Sequence, residues 1–451
     1  MKFVQVGRLR GAPVAVAVLL SVLSAAYAQQ QTSAQPPAPA AVLTLEEAVR
    51  LSLAQASVFQ QARLAELIAQ EDVRQARLAF LPKLEGTLSE TYNSPEGGPH
   101  APGSPSVMSF INANAITEHL AVAGVTGDLD VSGRLRATLK RNVALLEAAH
   151  AGTEVARRAL VQGVSESYYG VSLAGAKRRA AELSLAAAEE FEGITQGLFN
   201  AGEVAEVDLT RAKLQTATRR DELQQSQSSE LGAQDALRVF VGYDFSTPIA
   251  TIDLNGLIPD LAELNRFTTQ TIATRPEFAQ LSAEKKAAEQ ERKAARAERL
   301  PRVSYFVDGG FDSDSLGSSA LERHSGVLAG VTITVPIFDW GISRSRERQA
   351  ELRAETVESE RILALRTFGQ QFNTALAQAR VAAARFELLQ TSVAQAARNV
   401  QTSIARYRAG EAAILEVTDA QTTLASQRVS MVQATFDYQI ARSRLAQAAG
   451  Q

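Results

Sequence analysis

The 451-residue chain contains no cysteine. That excludes a disulfide framework, zinc-finger and iron–sulfur sites, thiol catalysis and lipid attachment through an N-terminal cysteine. Aromatic residues make up only 6%, too few for the Phe-, Tyr- and Trp-rich cores of the two to four globular domains that length alone would allow. Much of the 45% apolar content is alanine, which suits long, thin, close-packed helices. The four histidines, His100, His119, His150 and His324, are scattered, and no two have metal-ligand spacing. No Ser-His-Asp set and no phosphate loop accompany them. An enzyme, a metal centre and a bound cofactor are therefore not expected. The formal charge of −3 lacks the basic excess of a nucleic-acid binder. The charge-rich run from Glu284 to Arg302 alternates in sign and reads as a solvated helix face.

Long apolar runs are confined to the start. Lys2, Arg8 and Arg10 precede an apolar stretch from Gly11 to Ala25, and Ala26-Tyr27-Ala28 follows as a small-residue cleavage site. Residues 1–28 are expected to be a secretory signal peptide, and residues 29–41 a flexible Pro/Ala-rich tether. Beyond them no 18-residue apolar run exists, so no transmembrane helix is expected. A secreted soluble protein and a strand-built outer-membrane protein remain.

The chain repeats itself. Ala76-Arg77 to Leu81-Pro82 resembles Ala295-Arg296 to Leu300-Pro301. Gly202-Glu203-Val204-Ala205 through Leu209-Thr210-Arg211-Ala212 resembles Gly410-Glu411-Ala412-Ala413 through Val417-Thr418-Asp419-Ala420. Gly133 to Gly202 spans 69 residues, and so does Gly341 to Gly410. Pro82 to Gly133 spans 51, against 40 from Pro301 to Gly341. A rigid element beside a variable loop behaves in this way. Proline is missing between Pro105 and Pro248 and again after Pro336. These stretches favour helix, and each 69-residue segment would form a rod of roughly 100 Å. Phe386, Leu389, Val393, Ala396, Val400 and Tyr407 mark a coiled-coil seam.

Helix ends are legible too. Thr44 with Glu47 forms a capping box, and Pro82 and Pro301 end the helices before them. Gly202 and Gly410 accept the left-handed conformation of a helix stop, and Glu203 and Glu411 are placed at the start of the next helix. The first repeat is expected over 42–240 (hairpin about 83–131, helices 133–201 and 203–240). A linker covers 241–273, and the second repeat 274–451 (hairpin about 302–338, helices 341–409 and 411–449).

After each Leu-Pro the apolar period changes to two. Leu84, Leu88 and Tyr92 alternate with polar residues, as do Ala121, Ala123, Val125, Leu129 and Val131. In the second copy Val303, Tyr305, Val307 and Phe311 alternate, with Phe306 breaking the pattern, and Val327 to Ile337 follow. The segments 94–105 and 312–320 read as polar loops. Strands of about ten residues with one apolar side fit a barrel wall. Phe338 and Trp340 lie at a strand end, where a membrane-interface aromatic belt would sit. Four strands cannot close a barrel, so several chains would have to share one.

In these features the chain resembles the TolC-like outer-membrane efflux proteins. The resemblance rests on Thr44-Leu45-Glu46-Glu47-Ala48, Arg275-Pro276-Glu277-Phe278, both Leu-Pro joints, Val335-Pro336-Ile337-Phe338-Asp339-Trp340-Gly341 and both hairpin glycines. It implies an α+β membrane protein: a homotrimer sharing a twelve-stranded transmembrane β-barrel, four strands per chain, continued by a coiled-coil α-helical tunnel in the periplasm. It implies an exit duct in the outer-membrane lipid, docked on a periplasmic adaptor and an inner-membrane transporter of RND, ABC or MFS type. A type I protein-secretion conduit and a soluble periplasmic scaffold are the alternative readings. The family's acidic gate ring maps onto Glu416 and Asp419, with Asp208 as their first-repeat match, and a gate-bond position maps onto Tyr407. Ala412 stands where the family can carry a basic residue. The adaptor-contact hairpins map onto Ala201-Gly202-Glu203 and Ala409-Gly410-Glu411, and the acid after each glycine departs from the family pattern.

Overall fold

The computed structural model describes residues 42–95 and 115–450; the expected signal peptide and tether lie outside them. Helix α1 (Leu45–Ala54) opens on Thr44, whose hydroxyl accepts from the Glu47 amide at 3.2 Å. Glu47 spends its own carboxylate on Arg50 at 3.1 Å, leaving only one half of the expected capping box. An unexpected break follows at 55–57, where Ser57 caps a second helix, α2 (Val58–Leu78), through the Gln60 amide.

Strands β1 (Lys83–Tyr92) and β2 (Thr117–Leu129) lead into α3 (Arg134–Asn200) and α4 (Glu206–Val241). Three short 3-10 turns fill the linker. Then α5 (Pro276–Ala297), β3 (Arg302–Ser313), a short α6 (Ser318–Arg323), β4 (Ser325–Thr334), α7 (Ile342–Arg408) and α8 (Ile414–Ala448) complete the second copy. Helices α3 and α7 have 67 residues each, with a single glycine just before and another just after each of them. That equality follows from the equal glycine spacings.

Four boundaries differ from expectation. Strand β4 stops at Thr334, short of Ile337, because Pro336 has no amide to give a ladder. Strand β2 ends at Leu129, so Val131 lies outside it, in the turn before Gly133. The expected loop 312–320 contains the end of β3 and the start of α6. Helices α4 and α8 begin three residues later than Glu203 and Glu411, which therefore sit in the turns and not on helix starts. The intervening Val204 and Ala412 turn inward onto a cluster of Phe191, Ala212, Tyr407, Ile414 and Val417, and this carries the two glutamates to the exposed apices.

The strands form one antiparallel sheet in the order β1-β2-β3-β4. Its register places Leu84, Val125, Val307 and Ala329 directly across from one another, and Leu88, Ala121 and Phe311 likewise. All the alternating apolar positions therefore share one face. Leu84 and Leu88 are 80% and 86% exposed in the single chain, although apolar. The opposite face carries Glu85, Thr87, Asp308 and Thr332. Phe306, the pattern breaker, is on this polar face over Gly330, where an added Cβ would come within 2.6 Å of the ring. Among the described residues no strand pairs with the outer edge of β1 or of β4.

Below the sheet, α3 packs against α2, α4, α5 and α8, and α7 against α5 and α8. The linker 242–275 lies against the middle of these rods. Leu264 and Ile272 bury against Phe372, Tyr438 and Leu445, and Ile249 joins Leu43, Val164, Tyr168 and Leu237.

Candidate functional site: the two hairpin tips and the interrupted sheet

Both rods end alike. At the first tip the Gly202 amide donates to Phe199 O (2.9 Å) and the Glu203 amide to Leu198 O (2.9 Å). At the second, Gly410 donates to Tyr407 O (3.0 Å) and Glu411 to Arg406 O (2.9 Å). These are paired Schellman stops, and they need the left-handed φ of +74° and +70° that the glycines supply. Ala201 and Ala409 are the cap residues before them.

The expected gate residues gather at the second tip. Glu416 and Asp419 lie in the first two turns of α8, on one side of it. Asp419 is exposed and makes no hydrogen bond or ion pair among the described residues. Glu416 is different. Its carboxylate accepts from Arg406 Nη1 at 2.7 Å and from Ser403 Oγ at 3.3 Å, and Arg406 Nη2 also donates to Glu411 O at 3.2 Å. Arg406 escaped sequence reasoning, which sought a cation after the glycine and found Ala412. The available signal was a basic residue in the last turn of α7, favoured there by the helix dipole.

Tyr407 is 4% exposed and reaches from α7 to α3, with its ring centroid 5.2 Å from that of Phe191. Its Oη is buried and makes no well-aligned hydrogen bond among the described residues. Burial pushes the phenol above its ordinary value; the Thr195 hydroxyl tempers the shift and the Asp208 charge adds to it. Asp208, in the first turn of α4, thus stands near Tyr407 without an ion pair to any described residue.

Phe338 and Trp340 meet edge to face with centroids 4.8 Å apart, 72% and 87% exposed. Trp340 holds a φ of +54°, and Asp339 fixes the turn by accepting from the Gly341 amide at 3.0 Å and the Ser343 amide at 2.9 Å. Ser343 and Gly341 hold the Asp339 carboxyl below its usual range.

The Arg275-Pro276-Glu277-Phe278 motif joins linker to rod. Buried Arg275 donates through Nε (3.1 Å) and Nη2 (2.5 Å) to Glu277 and lies 3.8 Å from the Phe368 ring centroid, with Phe278 edge-on to the same ring. Burial would raise the Glu277 carboxyl, and the Arg275 bonds overcome it and hold it low.

A family profile described as "Outer membrane efflux protein" matches residues 48–243 and 268–451, one segment per repeat. The chain belongs to that family. This efflux protein is 24% identical to the cation efflux system protein CusC of Escherichia coli K12 over 346 residues, 75% of this chain and 74% of CusC. It is 24% identical to the toluene efflux pump outer membrane protein TtgC of Pseudomonas putida over 334 residues, 73% of this chain and 68% of TtgC. The match to the probable outer membrane lipoprotein SilC of Salmonella typhimurium, at 24% over 303 residues, spans 66% of each chain. Its fold is that of the Campylobacter jejuni CmeC outer membrane channel (TM-score 0.77, 18% identity, 90% of this chain and 85% of that one). A CusC structure superposes with TM-score 0.78 at 20% identity over 94% of this chain and 96% of that one. The protein is an outer-membrane efflux channel of TolC-like fold, and the soluble-scaffold reading is set aside.

Proposed function

We propose that three copies of this chain assemble into the exit duct of a tripartite efflux pump, delivered to the outer membrane by the segment 1–28. The observation that carries the reading is the sheet. Its apolar face is exposed, and both outer edges are open. Backbone groups left unpaired in lipid cost several kcal/mol each, at a rough estimate, so the edges must close on other copies. Three copies give twelve strands and a water-filled bore. Phe338 and Trp340 then lie at the lipid–water boundary, where amphipathic rings are favoured.

The hairpins Ala201-Gly202-Glu203 and Ala409-Gly410-Glu411 are the contact points for a periplasmic adaptor, which couples the duct to an inner-membrane transporter. Glu416 and Asp419, tripled about the axis, form the gate and its cation-attracting ring, with Tyr407 and Asp208 packed beside it. The relatives' names attach cations and toluene to similar ducts, which supports a passive conduit whose cargo the inner-membrane partner selects. Detergent-extracted protein should have the mass of a trimer and give discrete single-channel currents in planar bilayers. A freely soluble monomer without conductance overturns the reading.

A further inference from the structure

Halfway along the rods, α8 forms the floor of a groove walled by α3 and α7. Its cavity measures about 520 Å³, within the range of small-molecule sites. One side of α8 is covered by the linker. Tyr438 donates to Asp260 O at 2.6 Å, Arg442 pairs with Glu263 at 2.5 Å, and Leu445 buries against the cluster holding Leu264 and Ile272. At 100° per residue, Ile440 and Arg444 project from the other side, and these line the groove. The groove therefore faces away from the side of α8 that the linker covers, and in the proposed duct it lies on the side toward the bore.

Its chemistry is mixed. Val381, Phe436 and Ile440 supply an apolar wall, and Val381 is 66% exposed. Arg444 is engaged: Nε and Nη2 both reach Glu166 at 2.9 Å. Arg385 and Asp437 make only a long ion pair with each other. Their nearest charged atoms, Nη1 and Oδ2, stand 3.9 Å apart, too far for a hydrogen bond. Among the described residues Asp437 accepts only from Gln433 through its other oxygen (2.9 Å), and Arg385 makes no hydrogen bond. Adjacent to the apolar wall there is thus an open pair of opposite charges with unused donors and an unused acceptor. The formal charge of the four ionic groups cancels, which disfavours a simple anion or cation.

We propose that this groove is a resting site for an amphipathic organic zwitterion in transit, its apolar body on Val381, Phe436 and Ile440, its carboxylate on Arg385 and its ammonium on Asp437. The proposal rests on the duct reading and names a cargo class for it. The probe is Nε-dansyl-lysine, an aromatic body with an α-ammonium carboxylate, compared with dansylamide, which has the body alone. Each is added at the helical side of the purified trimer in a planar bilayer, after the unblocked conductance has been recorded. Dansyl-lysine should give blocks about a hundredfold longer than dansylamide, about tenfold for each of its two charge-assisted bonds. Arg385→Gln and Asp437→Asn should each remove about tenfold of that difference, while Phe436→Ala shortens the blocks of both probes. Fluorescence anisotropy of dansyl-lysine on the trimer in nanodiscs should show the same order of affinities for any variant that inserts poorly. Equal block times for the two probes, or blocks indifferent to Arg385→Gln and Asp437→Asn, overturn the site while leaving a conducting duct. Absence of unblocked conductance in the parent protein overturns the duct and the site together.

Discussion

At the scale of the residue, Tyr407 illustrates how position decides meaning. A tyrosine at a gate invites a role for its hydroxyl, yet among the described residues Oη has no well-aligned hydrogen bond and the ring packs on Phe191. Tyr407→Phe should then be nearly neutral, within about 1 kcal/mol, because at most a poorly aligned contact with Thr195 is lost. Tyr407→Ala should cost about 3–5 kcal/mol through the cavity it leaves. Thermal unfolding of the purified protein measures both, and a rise in resting conductance for Tyr407→Phe alone would show that the hydroxyl is engaged by another subunit. Arg406 gives a second test. It neutralises Glu416, so Arg406→Ala should strengthen block by divalent cations, and replacing Glu416 and Asp419 by Ser should weaken it and raise conductance. Unaltered block in both variants removes the gate assignment. The ion pairs between α5 and α7 are titratable in the same spirit. Arg361 and Lys285 lower the Glu358 carboxyl to about 2. A group depressed on folding stabilises fully above its unfolded value of 4.5 and loses that contribution as pH falls toward 2. The gap in melting temperature between the parent and Lys285→Gln should be widest near neutral pH and close progressively below pH 4.5.

At the scale of the element, the rods are set by their ends. Alanine-rich helix has no intrinsic length, and the pairs Gly133–Gly202 and Gly341–Gly410, all at positive φ, cut α3 and α7 to the same 67 residues. A side chain at Gly202 or Gly410 must adopt a left-handed backbone at a cost of about 1–2 kcal/mol. Gly410→Ala should therefore accelerate amide exchange at Glu411 and its neighbours by roughly five- to thirtyfold, with the middle of α7 unchanged. This explains what was legible in the sequence. Glycine, proline and the period of two act through local backbone sterics, so the rods, the stops and the four strands could be read directly. The break at 55–57 could not, because Gln55-Ala56-Ser57 contains neither glycine nor proline; the neighbouring α1 is held instead by Ala48 in a cluster with Leu160 and Val241, residues more than a hundred positions away. The Arg406–Glu416 bridge was hidden for a related reason. Its partners are ten residues apart across a turn whose geometry only the Schellman bonds define. The belated start of α4 and α8 follows from burial of Val204 and Ala412, again a tertiary effect.

At the scale of the whole molecule, one sheet face decides between water and lipid. Register makes the test sharp, since adjacent residues of one strand point to opposite sides. Leu88 is level with Ala121 and Phe311 on the apolar face, and Thr87, its neighbour, is level with Val122 and Gly310 on the polar face. An arginine facing the hydrocarbon midplane costs about 2–4 kcal/mol per site, and a trimer would carry three. An arginine facing a water-filled bore costs little. Leu88→Arg should deplete the protein from the outer-membrane fraction and abolish the detergent-resistant trimer. Thr87→Arg should insert normally, and its added positive charge in the bore should shift ion selectivity toward anions. If the two variants insert equally well, the sheet does not face lipid, and the exposed leucines must be covered by protein instead. The same pair also separates assembly from folding. The rods and their tips lie away from the sheet, so helical content measured by circular dichroism should be equal in both variants even where only one reaches the membrane.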